Sequence, residues 1–148
     1  MRDWTSLRVP ARARFAAEVT SVEQLDQLLS DRRLDRLPVL PLGEGTNVLF
    51  AGDYPGLVLR IRIRGWQQSE QEPDRVALTV GAGESWPQLV RTAVGRSWYG
   101  VENLTDIPGS VGAAPVQNIG AYGSELAEVV ERVATYDLTS GARAALMG

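Results

Sequence analysis

Two glycine-rich stretches hold the residue types that could do chemistry in this sequence. In "PLGEGTNVLF", Gly43-Glu44-Gly45-Thr46-Asn47 sits between two apolar runs. Glycine reaches positive φ and lets backbone N–H groups approach a ligand with no Cβ in the way. Successive N–H groups in such a turn form a concave nest for an anion such as a pyrophosphate, to which Thr46 and Asn47 add a hydroxyl and an amide. No helix follows, so this is not the dinucleotide fingerprint G-x-G-x-x-G, and without lysine it is not a phosphate loop. A plain hairpin bend accounts for the same residues. The second stretch, "IPGSVGAAPVQNIGAYG" from Ile107 to Gly123, holds four glycines and two prolines and is otherwise largely apolar. Gly109, Gly112, Ala113 and Ala114 would let backbone lie against a flat ring system. Gln117 and Asn118 offer amide hydrogen bonds, and Tyr122, between Gly120 and Gly123, offers a ring face and a hydroxyl. The competing reading is a tightly packed turn segment whose amides are satisfied internally.

Composition narrows the chemistry further. There is no Cys and no His, which excludes thiol nucleophiles, histidine bases, zinc fingers and iron–sulfur clusters, and no metal site is expected. Every basic residue is arginine, so a Schiff-base lysine is excluded as well. The formal charge of -3 argues against a nucleic-acid partner. No run approaches the roughly 20 apolar residues of a membrane span, and no signal peptide opens the chain. No membrane association and a cytoplasmic location are the expectation. At 148 residues the chain suits one ordinary domain or two small subdomains sharing a core.

The elements that must position the two stretches read as a mixture of strands and helices, an α+β pattern. "ARARFAAEVTS" reads as a strand or edge segment. In "TSVEQLDQLLSDRRL", Ser21 caps a helix, Gln24 completes a capping box, and Val22, Leu25, Leu28 and Leu29 share a face. "LPVL" leads into the first glycine turn, and "NVLF" reads as a strand leading out of it. "GLVLRIRIRG" alternates, with Leu57, Leu59, Ile61 and Ile63 on one face and Arg60, Arg62 and Arg64 on the other. The arginine face is either solvated or attracts phosphate. "VALTV" is a strand, and "ESWPQLVRTAVGRS" is a second helix with Ser85 and Gln88 as a capping box and Trp86, Leu89, Val90, Ala93 and Val94 inward. After the long glycine stretch come a helical turn, a strand and a turn. The closing "ARAALMG" resembles a strand interrupted.

Taken together and in this order, "LGEGTNVLF", "VGAGESW" and "GVENLTDIPGSVGAAPVQNIGAYGSEL" closely resemble the UDP-N-acetylenolpyruvoylglucosamine reductase (UDP-N-acetylmuramate dehydrogenase) family of bacterial flavoenzymes. The resemblance runs from about Ala11 to Gly141. It implies an FAD-binding domain of the vanillyl-alcohol-oxidase (PCMH) type over residues 11–148, after an N-terminal segment of residues 1–10. Two small α+β subdomains would cover roughly 11–65 and 66–148. It also implies the cofactor site: Gly43, Glu44, Gly45, Thr46 and Asn47 at the pyrophosphate. Pro108, Gly109, Ser110, Val111, Gly112 and Ala113, with Asn118, Ile119, Gly120, Ala121, Tyr122 and Gly123, would run along the ribityl chain and isoalloxazine.

In that family NADPH reduces FAD, and the flavin passes a hydride to the enolpyruvyl group of a UDP-sugar in peptidoglycan synthesis. A serine supplies the proton, and an arginine and a glutamate stabilise the developing charge. The family's arginine belongs to a "GYRDS"-type segment and its serine and glutamate to a C-terminal substrate domain. None of these lies within the 148 residues, so no residue here inherits those roles and no turnover by this chain alone is expected. "SLRVPARARF" also lacks the Asn-Thr pair usual at that point, as though residues were lost between Arg8 and Pro10. Glu102 and Glu125 are candidate substitute acids, though each reads better as a loop or first-turn residue, and Asp106 reads as an exposed variation. The alternative is a stand-alone, non-catalytic flavin- or nucleotide-binding module. Surface left by a missing domain would favour self-association.

Overall fold

The computed structural model describes residues 1–34, 36–72 and 74–148. Its first half is built on a parallel sheet of β1 (Ala13–Val19), β2 (Val39–Leu42) and β3 (Tyr54–Ile61), with β3 in the middle. Val58 of β3 lies opposite Ala16 on one side and Leu40 on the other. The helix α1 (Val22–Leu29) lies between β1 and β2 in the chain and inserts Leu25 against Val19, Leu57 and Leu59. The opposite face of the sheet is closed by Ala11, Leu42, Phe50 and Val58. With both faces covered, Leu57, Val58 and Leu59 are all buried, as parallel strands require.

That burial corrects the alternating reading of β3. The regular strand ends at Ile61, and the side carrying Arg60 also carries Val58, which is fully buried. Arg60 therefore does not stand on a solvated face. Its guanidinium pairs with Glu18 at 2.8 Å and lies over the Trp4 ring. The expected strand at Val48–Phe50 is absent, because Phe50 folds inward to the core instead of pairing.

Helix α1 starts as its sequence suggests, with Ser21 Oγ accepting the Gln24 N–H at 3.2 Å. The Gln24 side chain, however, accepts from the Thr20 N–H at 2.8 Å, one residue before the usual capping-box partner. The helix also stops at Leu29. Ser30 Oγ donates back to the Asp26 carbonyl, and Asp31 accepts from the Arg33 backbone and guanidinium, which sets Arg32–Leu34 apart as a separate turn.

The second half opens with the antiparallel hairpin of β4 (Trp66–Glu72) and β5 (Arg75–Val80). Backbone bonds from Gly81 to Gly65 and from Gly83 to Ile63 continue the pairing towards the first half. Next comes α2 (Trp86–Gly95), which buries Trp86, Leu89, Val90 and Ala93 but leaves Val94 43% exposed. Trp86, Leu89 and Val90 pack with Leu104, Ala114, Ile119 and Leu126 into a third core cluster. The second capping box does not form. Ser85 makes no side-chain cap; the Trp86 N–H is taken by the Gly109 carbonyl at 2.9 Å, and Val111 N–H reaches Glu84 O at 2.8 Å. A loop from the glycine-rich stretch thus satisfies the helix terminus, leaving Gln88 to bond Thr92 and Arg91 along the helix.

Two short hairpins follow. In the first, β6 (Gly120–Ala121) pairs with β7 (Ser124–Glu125). In the second, β8 (Arg132–Tyr136) pairs with β9 (Arg143–Met147), so the closing residues form a paired strand with Ala134 opposite Ala145. Asp137 organises its turn by accepting from Thr139, Ser140 and the Ser140 hydroxyl. The whole is an α+β fold. Among the described residues no helix is long and apolar enough to cross a membrane.

Candidate cofactor site

The two glycine stretches line one cleft of about 260 Å³. The turn at 43–47 follows directly from β2, while the run from Ile107 to Ala114 is anchored by the N-terminus of α2. Two bonds tie the walls together: Thr46 Oγ1 donates to Pro108 O at 3.3 Å, and Asn47 Nδ2 donates to Gln117 Oε1 at 2.5 Å. Leu42, Ile61, Trp86 and Ile119 give the cleft an apolar lining. Trp86 is itself fixed, since its indole N–H donates to the buried Leu104 carbonyl at 2.8 Å.

The turn presents donors without partners. Among the described residues, no protein acceptor takes the backbone N–H of Glu44, Gly45, Thr46 or Asn47. Gly45 has φ +67°, and Gly109 across the cleft has φ +136°, a conformation open only to glycine. Free N–H groups beside an apolar wall are what an anion attached to a flat ring would need. Among the described residues the lining contains one ionisable side chain, Glu44, and no cation. An anion here would therefore be held by backbone dipoles. The cleft is smaller than the roughly 300–1,000 Å³ of typical ligand pockets, so a dinucleotide would extend beyond it.

Of the residues expected at a cofactor, Gly43, Glu44, Gly45, Thr46, Asn47, Pro108, Gly109, Ser110, Gly112, Ala113 and Ile119 line this cleft. Val111 packs against the third core cluster instead. Asn118, Gly120, Ala121, Tyr122 and Gly123 lie apart, in or beside the β6–β7 hairpin. Asn118 adopts a left-handed conformation, donates its amide to Glu125 at 2.8 Å and accepts the Ala127 N–H at 3.1 Å. Tyr122 and Gly123 form the two-residue turn of that hairpin at φ +53° and +81°, which leaves Tyr122 86% exposed. Sequence reasoning placed Trp86 only on a helix face and missed Ile61 and Ala82 as lining residues; the "VGAGESW" motif was the available signal for the last.

Neither candidate acid sits in the lining. Glu102 accepts the Gly100 N–H at 2.5 Å, and its own backbone N–H followed by that of Gly100 holds its pKa below the usual value, the reverse of what a proton donor needs. Glu125 is engaged by Asn118.

Comparison with known proteins gives the family and the fold. The family model described as "FAD binding domain" matches residues 13–142. The UDP-N-acetylenolpyruvoylglucosamine reductase of Alcanivorax borkumensis is 42% identical over 135 residues, covering 91% of this chain and 39% of that protein. The enzyme of the same name from Ralstonia nicotianae is 44% identical over 139 residues, covering 92% of this chain and 41% of that protein. The crystal structure of UDP-N-acetylenolpyruvylglucosamine reductase from Thermus caldophilus superposes with a TM-score of 0.75 at 28% identity, over 99% of this chain and 50% of that one. This chain therefore spans about two fifths of the length of the curated relatives it matches.

Proposed function

The chain belongs to the FAD-binding domain family, with the vanillyl-alcohol-oxidase (PCMH) fold and FAD as its cofactor, and from that premise we propose that the cleft between the Gly43–Asn47 turn and the Ile107–Ala114 run holds the FAD pyrophosphate and the adjoining part of the flavin. The observation that carries this is the set of N–H groups at Glu44–Asn47 without an acceptor among the described residues, in a turn that lines the same cleft as the positive-φ Gly109. Thr46 and Asn47 would add side-chain donors once their bonds to Pro108 and Gln117 open. Leu42, Ile61 and Trp86 would exclude water from the ring. Asn118 and Gly120–Gly123 would approach a flavin only where it extends past the cleft. When bound, FAD would supply hydride transfer.

We read the chain as the FAD-binding part of an NADPH-dependent reductase that acts on a UDP-sugar enolpyruvyl ether to form UDP-N-acetylmuramate for peptidoglycan. The names of its relatives support this reading. Neither Glu102 nor Glu125 lines the cleft, and we read the chain alone as binding flavin without turnover. Division into subdomains near residues 65 and 66 is supported by the fully buried members of the core clusters, which fall on either side, while Tyr136 of β8 packs back on the cluster of Val19, Leu25, Leu57 and Leu59.

The test is FAD titration of the 148-residue chain, followed by flavin fluorescence and thermal melting. Ligand at about 100 times its Kd stabilises the folded state by roughly 2.7 kcal/mol, a shift of several degrees in a chain of this size. A saturable shift, with no NADPH oxidation in the presence of substrate, is the expected result. No shift would remove the FAD assignment, and sustained turnover would remove the claim of inactivity.

A further inference from the structure

We propose that the N-terminal stretch Trp4–Ser6 is a positioning element for the cofactor's pyrophosphate, fixing the direction in which the Thr46 and Asn47 N–H groups point. The proposal rests on the FAD reading above and deepens it. Ser6 N–H donates to the Gly45 carbonyl at 3.1 Å, and Ser6 Oγ donates to the Thr46 carbonyl at 3.4 Å. In a planar trans peptide the C=O and the following N–H point in opposite directions. Holding the Gly45 carbonyl on the N-terminal stretch therefore turns the Thr46 N–H away from it. Holding the Thr46 carbonyl does the same for Asn47. Thr46 and Asn47 both line the cleft, so the two pinned peptide planes pre-set two of its donors.

The contact admits nothing larger than glycine. A Cβ on Gly45 would lie 2.1 Å from the Trp4 carbonyl oxygen and 2.9 Å from Thr5 Cα. Thr5 is buried at 6% exposure. The stretch is in turn anchored to the sheet. Arg60 of β3 places its guanidinium 5.4 Å from the Trp4 ring centroid while pairing with Glu18 of β1, and its Nε is buried with no hydrogen-bond partner among the described residues. A cation stacked on an aromatic face and partly desolvated is a firm attachment for a segment otherwise outside the regular elements. The missing Asn-Thr pair thus does not leave the turn unsupported: Thr5 and Ser6 reach it directly.

Ser6→Pro in the 148-residue chain tests the proposal, because it removes the N–H that holds Gly45. Thr5 already has φ −131° and ψ 149°, the extended conformation a following proline favours. Trp4→Leu, which releases the stretch from Arg60, is the second variant, and Ser6→Ala, which keeps the N–H on Gly45 but loses the Oγ bond to Thr46, separates the two contacts and should loosen Asn47 while leaving Thr46 held. Each is titrated with FAD and with riboflavin, which has no phosphate, and backbone amide order parameters are measured at Thr46 and Asn47. Expected are a rise of about tenfold in the FAD Kd of Ser6→Pro, the size of losing one positioning hydrogen bond, an unchanged riboflavin Kd, and lower order parameters at both amides. Trp4→Leu should show the same pattern in smaller degree. Equal weakening of FAD and riboflavin would reduce the stretch to general support and overturn the proposal, as would unchanged order parameters at Thr46 and Asn47. If the unmutated chain bound no FAD, the flavin reading would fall, while the order parameters would still decide whether the stretch fixes the turn.

Discussion

Replacing Trp86 by Phe should destabilise the protein well beyond the effect of its lost area. Trp86 is 3% exposed, starts α2, lines the cleft, and donates its indole N–H to the Leu104 carbonyl at 2.8 Å. Leu104 itself is fully buried, so no water replaces the lost donor. An orphaned buried acceptor costs about 1–3 kcal/mol, and the space vacated by the smaller ring adds about 1 kcal/mol. The sum is roughly 2–4 kcal/mol. With an unfolding entropy of about 2.1 cal/mol/K per residue, a chain of 148 residues loses about 0.3 kcal/mol per degree near Tm. Trp86→Phe should therefore melt roughly 6–13 °C lower. Circular dichroism melting of the two chains gives the number, with Tyr99→Phe, at a 75% exposed position, as a control expected within about 0.5 kcal/mol of the parent. If Trp86→Phe melted with the control, the indole would not be what holds the Leu104–Gly109 loop, and the account of how that wall of the cleft is anchored would fail.

Two further outcomes follow from the same geometry. Gly45→Ala places a side chain at φ +67° and against the Trp4 carbonyl, and should cost about 1–2 kcal/mol for the left-handed conformation and about 1–3 kcal/mol for the overlap; urea denaturation that detected no loss would contradict the contact. Acidification should destabilise the fold, because four carboxylates titrate below their ordinary values: Glu23 through its own backbone N–H, Asp31 through the Arg33 guanidinium, Glu102 through its own backbone N–H, and Asp137 through the Ser140 hydroxyl. A lowered folded pKa contributes stability above the unfolded value that is lost as pH falls through the folded one, for Asp31 between 3.8 and about 2; urea midpoints that stayed level or rose across that window would refute the sign.

Local patterning made much of this fold legible. Ser21 before Val22 and Leu25 marked the start of α1, and the inward face of α2 fell on Trp86, Leu89, Val90 and Ala93 as its period implies. What misled were positions decided by neighbours distant in sequence. The alternation of Leu57–Arg64 looks like a half-exposed strand, yet β3 is flanked by β1 and β2 and covered on both faces, so Val58 is buried. Ser85 carries a capping side chain, but the loop at Gly109–Val111 reaches the helix terminus first. In the cleft, the small residues of both glycine stretches advertised close backbone approach. The direction of Tyr122 was not legible, because it depends on Tyr122 and Gly123 together taking left-handed turn positions. Nor was the docking of Thr5 and Ser6 on Gly45, a contact across about forty residues that no local pattern encodes.

The most direct measurement is FAD titration of the isotope-labelled chain, observed at its backbone amides. The account predicts saturable binding with the largest shifts at Glu44, Gly45, Thr46 and Asn47 and further shifts at Gly109 and Ser110, the two walls of one cleft. Binding that moved only the β6–β7 hairpin around Tyr122, or no binding at all, would contradict it.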